Sequence, residues 1–164
     1  MLKGYAMKMP CLSCLTLLLM ISYAASTGYK NCDQPTKGEI TSLTLSRCPD
    51  TKDVCQLVKN TLDTITLEFV SHVDSNSVTG VYQAYRTKDG KEEGNPETIP
   101  YSDSDICKNE SIKCPLRNGQ SYTYKNTVNV TAPDYDYLSK FILKDDNGDD
   151  IVCFTVPIEY VDHY

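Results

Sequence analysis

The sequence predicts an all-β sandwich, and three observations carry the prediction. Apolar and polar residues alternate over several segments of strand length, with no sustained helical stripe. Tight-turn signals separate these segments. Cysteines are frequent enough to tie such a fold together, with 8 among 164 residues.

The elements follow in chain order. Gly38–Ser46 (GEITSLTLS) places Leu43 and Leu45 on one face. Asn60–Val70 sets Ile65, Leu67 and Phe69 on one side and Thr64, Thr66 and Glu68 on the other, the period of two expected of a half-buried strand. Ser77–Arg86 alternates Val81 and Tyr85 with Tyr82 and Ala84. Gln120–Val130 stacks Tyr122, Tyr124, Val128 and Val130 on one face. Tyr137–Lys144 and Ile151–Tyr160 make a final hairpin around DDNGDD, where Asn147-Gly148 signals a tight turn. Its second strand presents Val152, Phe154, Val156, Ile158 and Tyr160 as one packed face. The polar stretch RTKDGKEEGNPE (Arg86 to Glu97) is expected to be a long exposed loop. SRCPDTKD and TAPDYD are expected to be turns.

Residues 1–25 have the order of a secretory signal peptide. Lys3 and Lys8 come first without an acid, then the apolar CLSCLTLLLMISYA, then small residues with cleavage after Ala24 or Ser26. The apolar run is shorter than the ~20 residues of a membrane span, which favours a cleaved leader over an anchor. Residues 26–164 then form one domain, large enough for a real core. Its 22 acids outnumber the bases, of which the whole chain has 16. That balance lacks the footprint of a nucleic-acid binder and disfavours adhesion to anionic lipid at neutral pH.

Cys11 and Cys14 belong to the leader. Cys32, Cys48, Cys55, Cys107, Cys114 and Cys153 remain, an even set that reads as disulfides in a secreted chain. Cys48–Cys55 and Cys107–Cys114 can each close a short loop, which leaves Cys32–Cys153 to tie the ends of the domain. Closing a loop of roughly 120 residues is worth about 5 kcal/mol in the chain-entropy model. Zinc is disfavoured because the paired cysteines are too far apart, with only His72 and His163 in support. No Cys-x-x-Cys occurs in the domain, so a redox pair is disfavoured as well. DICKNESIKCPLRNGQSYTY (Asp105 to Tyr124) is therefore a stapled loop leading into a strand.

Nothing points to catalysis. Bridged cysteines supply no nucleophile and no nucleophile elbow is present. No catalytic residue, metal or cofactor is expected. DDNGDD lacks the spacing and glutamate of an EF-hand and reads as a solvated turn. Asn109-Glu110-Ser111 and Asn129-Val130-Thr131 match the glycan acceptor pattern at Asn109 and Asn129.

Taken together, KCPLRNGQSYTY, the CP…C at Cys48 and Cys55, the N-terminal NC and the C-terminal DDNGDDIVCFTVPI resemble the lipid-recognition (ML-domain) family. That family includes the soluble Niemann–Pick type C cholesterol-transfer proteins and the group 2 mite allergens. The resemblance runs from Cys32 to about Tyr160. It implies an immunoglobulin-like β-sandwich of two antiparallel sheets, splayed to hold a lipid between them, and the same three disulfides. A valine of the sterol carriers falls on Val130. An aromatic ahead of the first loop cysteine is replaced by Ile99, and a tyrosine beyond the valine falls on Asp134, with Tyr135 beside it. Phe69, Phe141, Phe154, Tyr122 and Tyr124 are further candidates for the ligand-facing wall. The function implied is that of a secreted, monomeric carrier of a sterol or similar apolar lipid. It would hand its cargo to a membrane surface or membrane protein, in the extracellular space or the lysosomal lumen. The competing readings are an immune module binding bacterial lipid with a receptor, and a pocketless immunoglobulin-like interaction domain.

Overall fold

A computed structural model of the chain describes residues 28–48, 54–88, 91–99, 104–108, 110–131 and 135–162. The expected leader, Asn109, Asp134 and His163 lie outside the described residues. Among the described residues the elements are nine strands and one short 3-10 turn: β1 (Lys30–Asn31), β2 (Gly38–Leu45), β3 (Cys55–Val58), β4 (Leu62–Ser71), β5 (Thr79–Lys88), β6 (Lys91–Ile99), the turn Ile106–Lys108, β7 (Ser121–Asn129), β8 (Tyr137–Lys144) and β9 (Asp150–Val161).

Two sheets face each other. The larger runs β1-β9-β8-β5-β6, with β3 also pairing with β9, and the smaller runs β2-β4-β7. All pairings are antiparallel except β3 with β9. The inward faces are the ones alternation predicts. Leu43, Leu67 and Tyr124 lie in register across the smaller sheet, each fully buried. Phe141 and Phe154 lie in register across the larger one. Disulfides join Cys32 to Cys153, Cys48 to Cys55 and Cys107 to Cys114.

The sheets are pinched at one end. Gly38 sits so close to β9 that an added Cβ would lie 2.7 Å from the Val70 carbonyl oxygen and 2.8 Å from that of Ile151. Lys37 donates its backbone N–H to Asp150 O at 2.8 Å, joining the sheets directly. Val78, Ile106, Ile112, Leu116, Leu143 and Ile151 are buried as solid core. Asp145 caps this end. Its carboxylate accepts the backbone N–H groups of Asn147 and Asp149, each at 2.9 Å, and pairs with Lys37 at 3.3 Å. The DDNGDD turn is therefore not wholly solvated, because the Asp145 side chain has no exposed surface.

One further expectation needs correction, and one buried strand had no expectation attached to it. The stretch Arg86 to Glu97 is not a loop: β6 folds back on β5, with Lys88 opposite Lys91 and Tyr82 opposite Ile99. The expected exposure holds, since residues 91–98 are all exposed. An edge strand with neither face buried needs no alternation, and its charges and proline protect it against further strand addition. The stretch after Cys48 also holds a strand, β3, whose Cys55, Leu57 and Val58 are buried.

Candidate ligand cavity

Away from the pinched end, the sheets enclose a cavity of about 480 Å³. That lies within the roughly 300–1,000 Å³ of small-molecule sites. The smaller sheet supplies Leu45 from β2, Asp63 and Ile65 from β4, and Tyr124 with Asn126 to Asn129 from β7. Val130 and Thr131, just past β7, continue the wall. The larger sheet supplies Leu57, Tyr82, Ala84, Ile99, Tyr137, Ser139, Phe141, Phe154, Val156, Ile158 and Tyr160. Alternation explains the larger sheet's set: Tyr137, Ser139 and Phe141 share one face of β8, and Phe154, Val156, Ile158 and Tyr160 share one face of β9.

The floor is aromatic. Tyr124 stacks on Phe141 with ring centroids 5.7 Å apart, and Phe141 meets Phe154 at 5.7 Å. The rim includes Tyr137, which meets Tyr160 edge-on at 6.2 Å and Tyr135 at 4.6 Å. Arg86 holds Tyr135 in place: its guanidinium lies 4.0 Å over the ring, donates to the hydroxyl at 2.8 Å and donates to Glu97 at 3.1 Å.

Polar groups on the wall include Asn126, Thr127, Asn129 and Thr131 along the end of β7, besides Asp63, Ser139 and the tyrosine hydroxyls. Asp63, 3% exposed, accepts a hydrogen bond from the Ser46 hydroxyl. It is the one charged residue among the described residues of the wall. Tyr82 and Ser139 share a hydrogen bond at 2.8 Å. Burial raises the pKa of Tyr82, against a smaller lowering by Ser139. Burial, then the neighbouring Tyr82, raises that of Tyr160. Burial, then Tyr135, raises that of Tyr137. These phenols stay neutral at physiological pH, so the site offers apolar surface, neutral hydroxyls and the amides of Asn126 and Asn129 beside one carboxylate.

Of the candidates drawn from the sequence, Val130, Ile99, Tyr124, Phe141 and Phe154 come together on this wall. Phe69 and Tyr122 do not: they meet each other at 5.7 Å toward the pinched end, Phe69 fully buried and Tyr122 partly buried against the core. The Tyr122 hydroxyl accepts the Arg117 backbone N–H at 2.6 Å and so fixes the turn after Cys114. Tyr135 stands behind the rim, packed on Tyr137. Tyr82, Tyr137, Ser139 and Asp63 were not singled out as ligand contacts. Their signal was position: Tyr137 and Ser139 share the face of Phe141 on β8, Asp63 shares that of Phe69 on β4, and Tyr82 lies opposite both Ile99 and Phe141.

A splayed immunoglobulin-like sandwich with an apolar internal cavity is the class of protein that fold and site define. The ML-domain family model matches residues 26–160, and the chain belongs to that family. It is 29% identical over 140 residues to "NPC intracellular cholesterol transporter 2 homolog a" of Drosophila melanogaster, covering 84% of this chain and 90% of the relative. It is 28% identical over 150 residues to "NPC intracellular cholesterol transporter 2" of Mus musculus, covering 88% and 94%. The crystal structure of a Niemann-Pick type C2 protein from the Japanese carpenter ant superposes with a TM-score of 0.70 at 20% identity, over 81% of this chain and 98% of that one. That likeness establishes the shared fold.

Proposed function

We propose that this chain is a secreted lipid carrier that encloses a sterol or similar apolar lipid between its sheets and delivers it to a membrane or a membrane protein. The observation that carries the reading is the cavity itself. A sandwich core is ordinarily filled by its own side chains to crystal-like density, whereas here the inward faces leave about 480 Å³ open. An apolar ligand placed there gains on the order of 25 cal/mol for each Å² of apolar surface removed from water. No reacting group is required for that exchange, so the carrier acts by binding and release. The names of the fly and mouse relatives, both cholesterol transporters, support a sterol as cargo. The leader-like residues 1–25 support secretion, and the lysosomal lumen is a second destination for such a chain. Among the described residues no helix is long and apolar enough to cross a membrane. Asn129, the last residue of β7 and part of the cavity wall, is exposed and suited to carry a glycan beside the opening.

Val130→Phe tests the reading. Val130 is 5% exposed and faces the cavity. A phenyl ring there takes up ligand space, and the cavity absorbs the added volume without forcing the sheets apart. Sterol affinity is expected to fall by about tenfold or more, the equivalent of about 1.4 kcal/mol, with the melting temperature retained. Unchanged affinity in the folded variant would place the ligand elsewhere. The cavity also weighs against a pocketless interaction module, which has no use for it.

A further inference from the structure

The Tyr82 and Ser139 hydroxyls lie side by side on the cavity wall, on adjacent strands β5 and β8, 2.8 Å apart. Each hydroxyl carries one hydrogen and can also accept. Their shared bond uses one of the two hydrogens, whichever group donates. Among the described residues no group accepts the other hydrogen. Across the cavity, Asp63 has one carboxylate oxygen bound to Ser46, and among the described residues nothing donates to the second. Ser139 is 7% exposed and Asp63 is 3% exposed. Both residues are largely buried, yet among the described residues no buried side-chain polar atom lacks a partner, so the second Asp63 oxygen opens onto the cavity, where the amides and hydroxyls of Asn126 to Thr131 also lie.

A hydrocarbon cargo would seal these groups against surface that cannot bond to them, and an unpaired buried donor or carboxylate is unfavourable. Phenylalanine and alanine would serve a hydrocarbon better at the same two places. We infer that the cavity is built for an oxygenated lipid. The body of that lipid carries a hydroxyl or carbonyl oxygen that accepts from the Tyr82–Ser139 pair, while its apolar remainder lies on Phe141 and Phe154. A second ligand hydroxyl, directed at the opposite wall, donates to Asp63. This inference rests on the carrier reading and narrows its cargo.

The test is an equilibrium competition on the intact secreted protein, with cholesterol against its 7-hydroxylated and 25-hydroxylated forms. The double variant Tyr82→Phe/Ser139→Ala is measured in parallel, with its melting temperature as a folding control. The wild type is expected to favour at least one hydroxylated sterol over cholesterol by about tenfold, and the double variant to bring that ratio to about one. If the double variant fails to fold, Ser139→Ala alone is read in the same way, with a partial fall in the ratio expected. Equal affinities in the wild type, a preference for cholesterol, or a preference that survives the variants overturns the inference and leaves the carrier reading intact. A wild type that takes up none of the sterols contradicts the sterol-carrier reading as well.

Discussion

Asp145 shows how one side chain can hold a turn and a sheet junction at once. Burial alone would raise its pKa. The N–H groups of Asp149 and Asn147 and the Lys37 ammonium outweigh that effect and hold it below the ordinary value of 3.8. Because the folded value is the lower one, its contribution to stability is complete above the unfolded carboxyl pKa, about 3.9. It is lost as pH falls through the depressed folded value. Asp145→Ala leaves two backbone donors without their partner and is expected to cost about 1–3 kcal/mol at neutral pH. Urea unfolding from pH 7 down to pH 3 would check both points: the variant should be weaker and should lose less stability on acidification. A variant as stable as the wild type would show that water replaces the carboxylate. At the same scale, alternation places Tyr122 and Tyr124 on one face, and both turn inward. It carries no information on depth along the sandwich. That is why Tyr122 packs, partly buried, against the solid core and Tyr124 lies on the cavity floor, although their sequence surroundings look alike. Asp63 escaped notice for a related reason. An acid on an inward face is unexpected until Ser46, brought alongside by pairing of β2 with β4, is seen to meet it.

Among the elements, β2 decides where the cavity can lie. Its first residue, Gly38, lets the backbone approach Val70 and Ile151 at a distance no side chain tolerates, and this closes one end of the sandwich. Gly38→Ala places a methyl carbon under 3 Å from two carbonyl oxygens. It is expected to destabilise the domain by about 1–3 kcal/mol, the usual cost of overpacking. A thermal melt checks this, and an unshifted melting temperature would mean that the sheets part there without cost. Elements with a buried face were legible in the sequence: the inward residues of β2, β4, β7 and β9 are the ones alternation marks. β1, β3 and β6 escaped, and none of them carried such a mark. β6 is exposed on both faces, and β3 has only four residues, too few for a period of two to stand out. Both were visible only through their partners, β5 and β9.

At the scale of the whole molecule, the account is of a wedge: sheets held together at the Gly38 end and parted around an aromatic floor at the other. Disulfides brace both regions, with Cys107–Cys114 beside the solid core and Cys48–Cys55 next to the wall residue Leu57. The pairing was legible because two short spacings leave a single long-range bridge. The splay was not, because the same apolar faces would serve a filled sandwich and a hollow one. Only the family resemblance distinguished them in advance. The central claim is that the hollow holds lipid. Native mass spectrometry of the protein secreted from animal cells, before and after addition of cholesterol, tests it most directly. The account predicts a co-purified mass of lipid size or one-to-one uptake of the sterol. A folded protein that emerges empty and takes up neither cholesterol nor any other apolar ligand offered would contradict it.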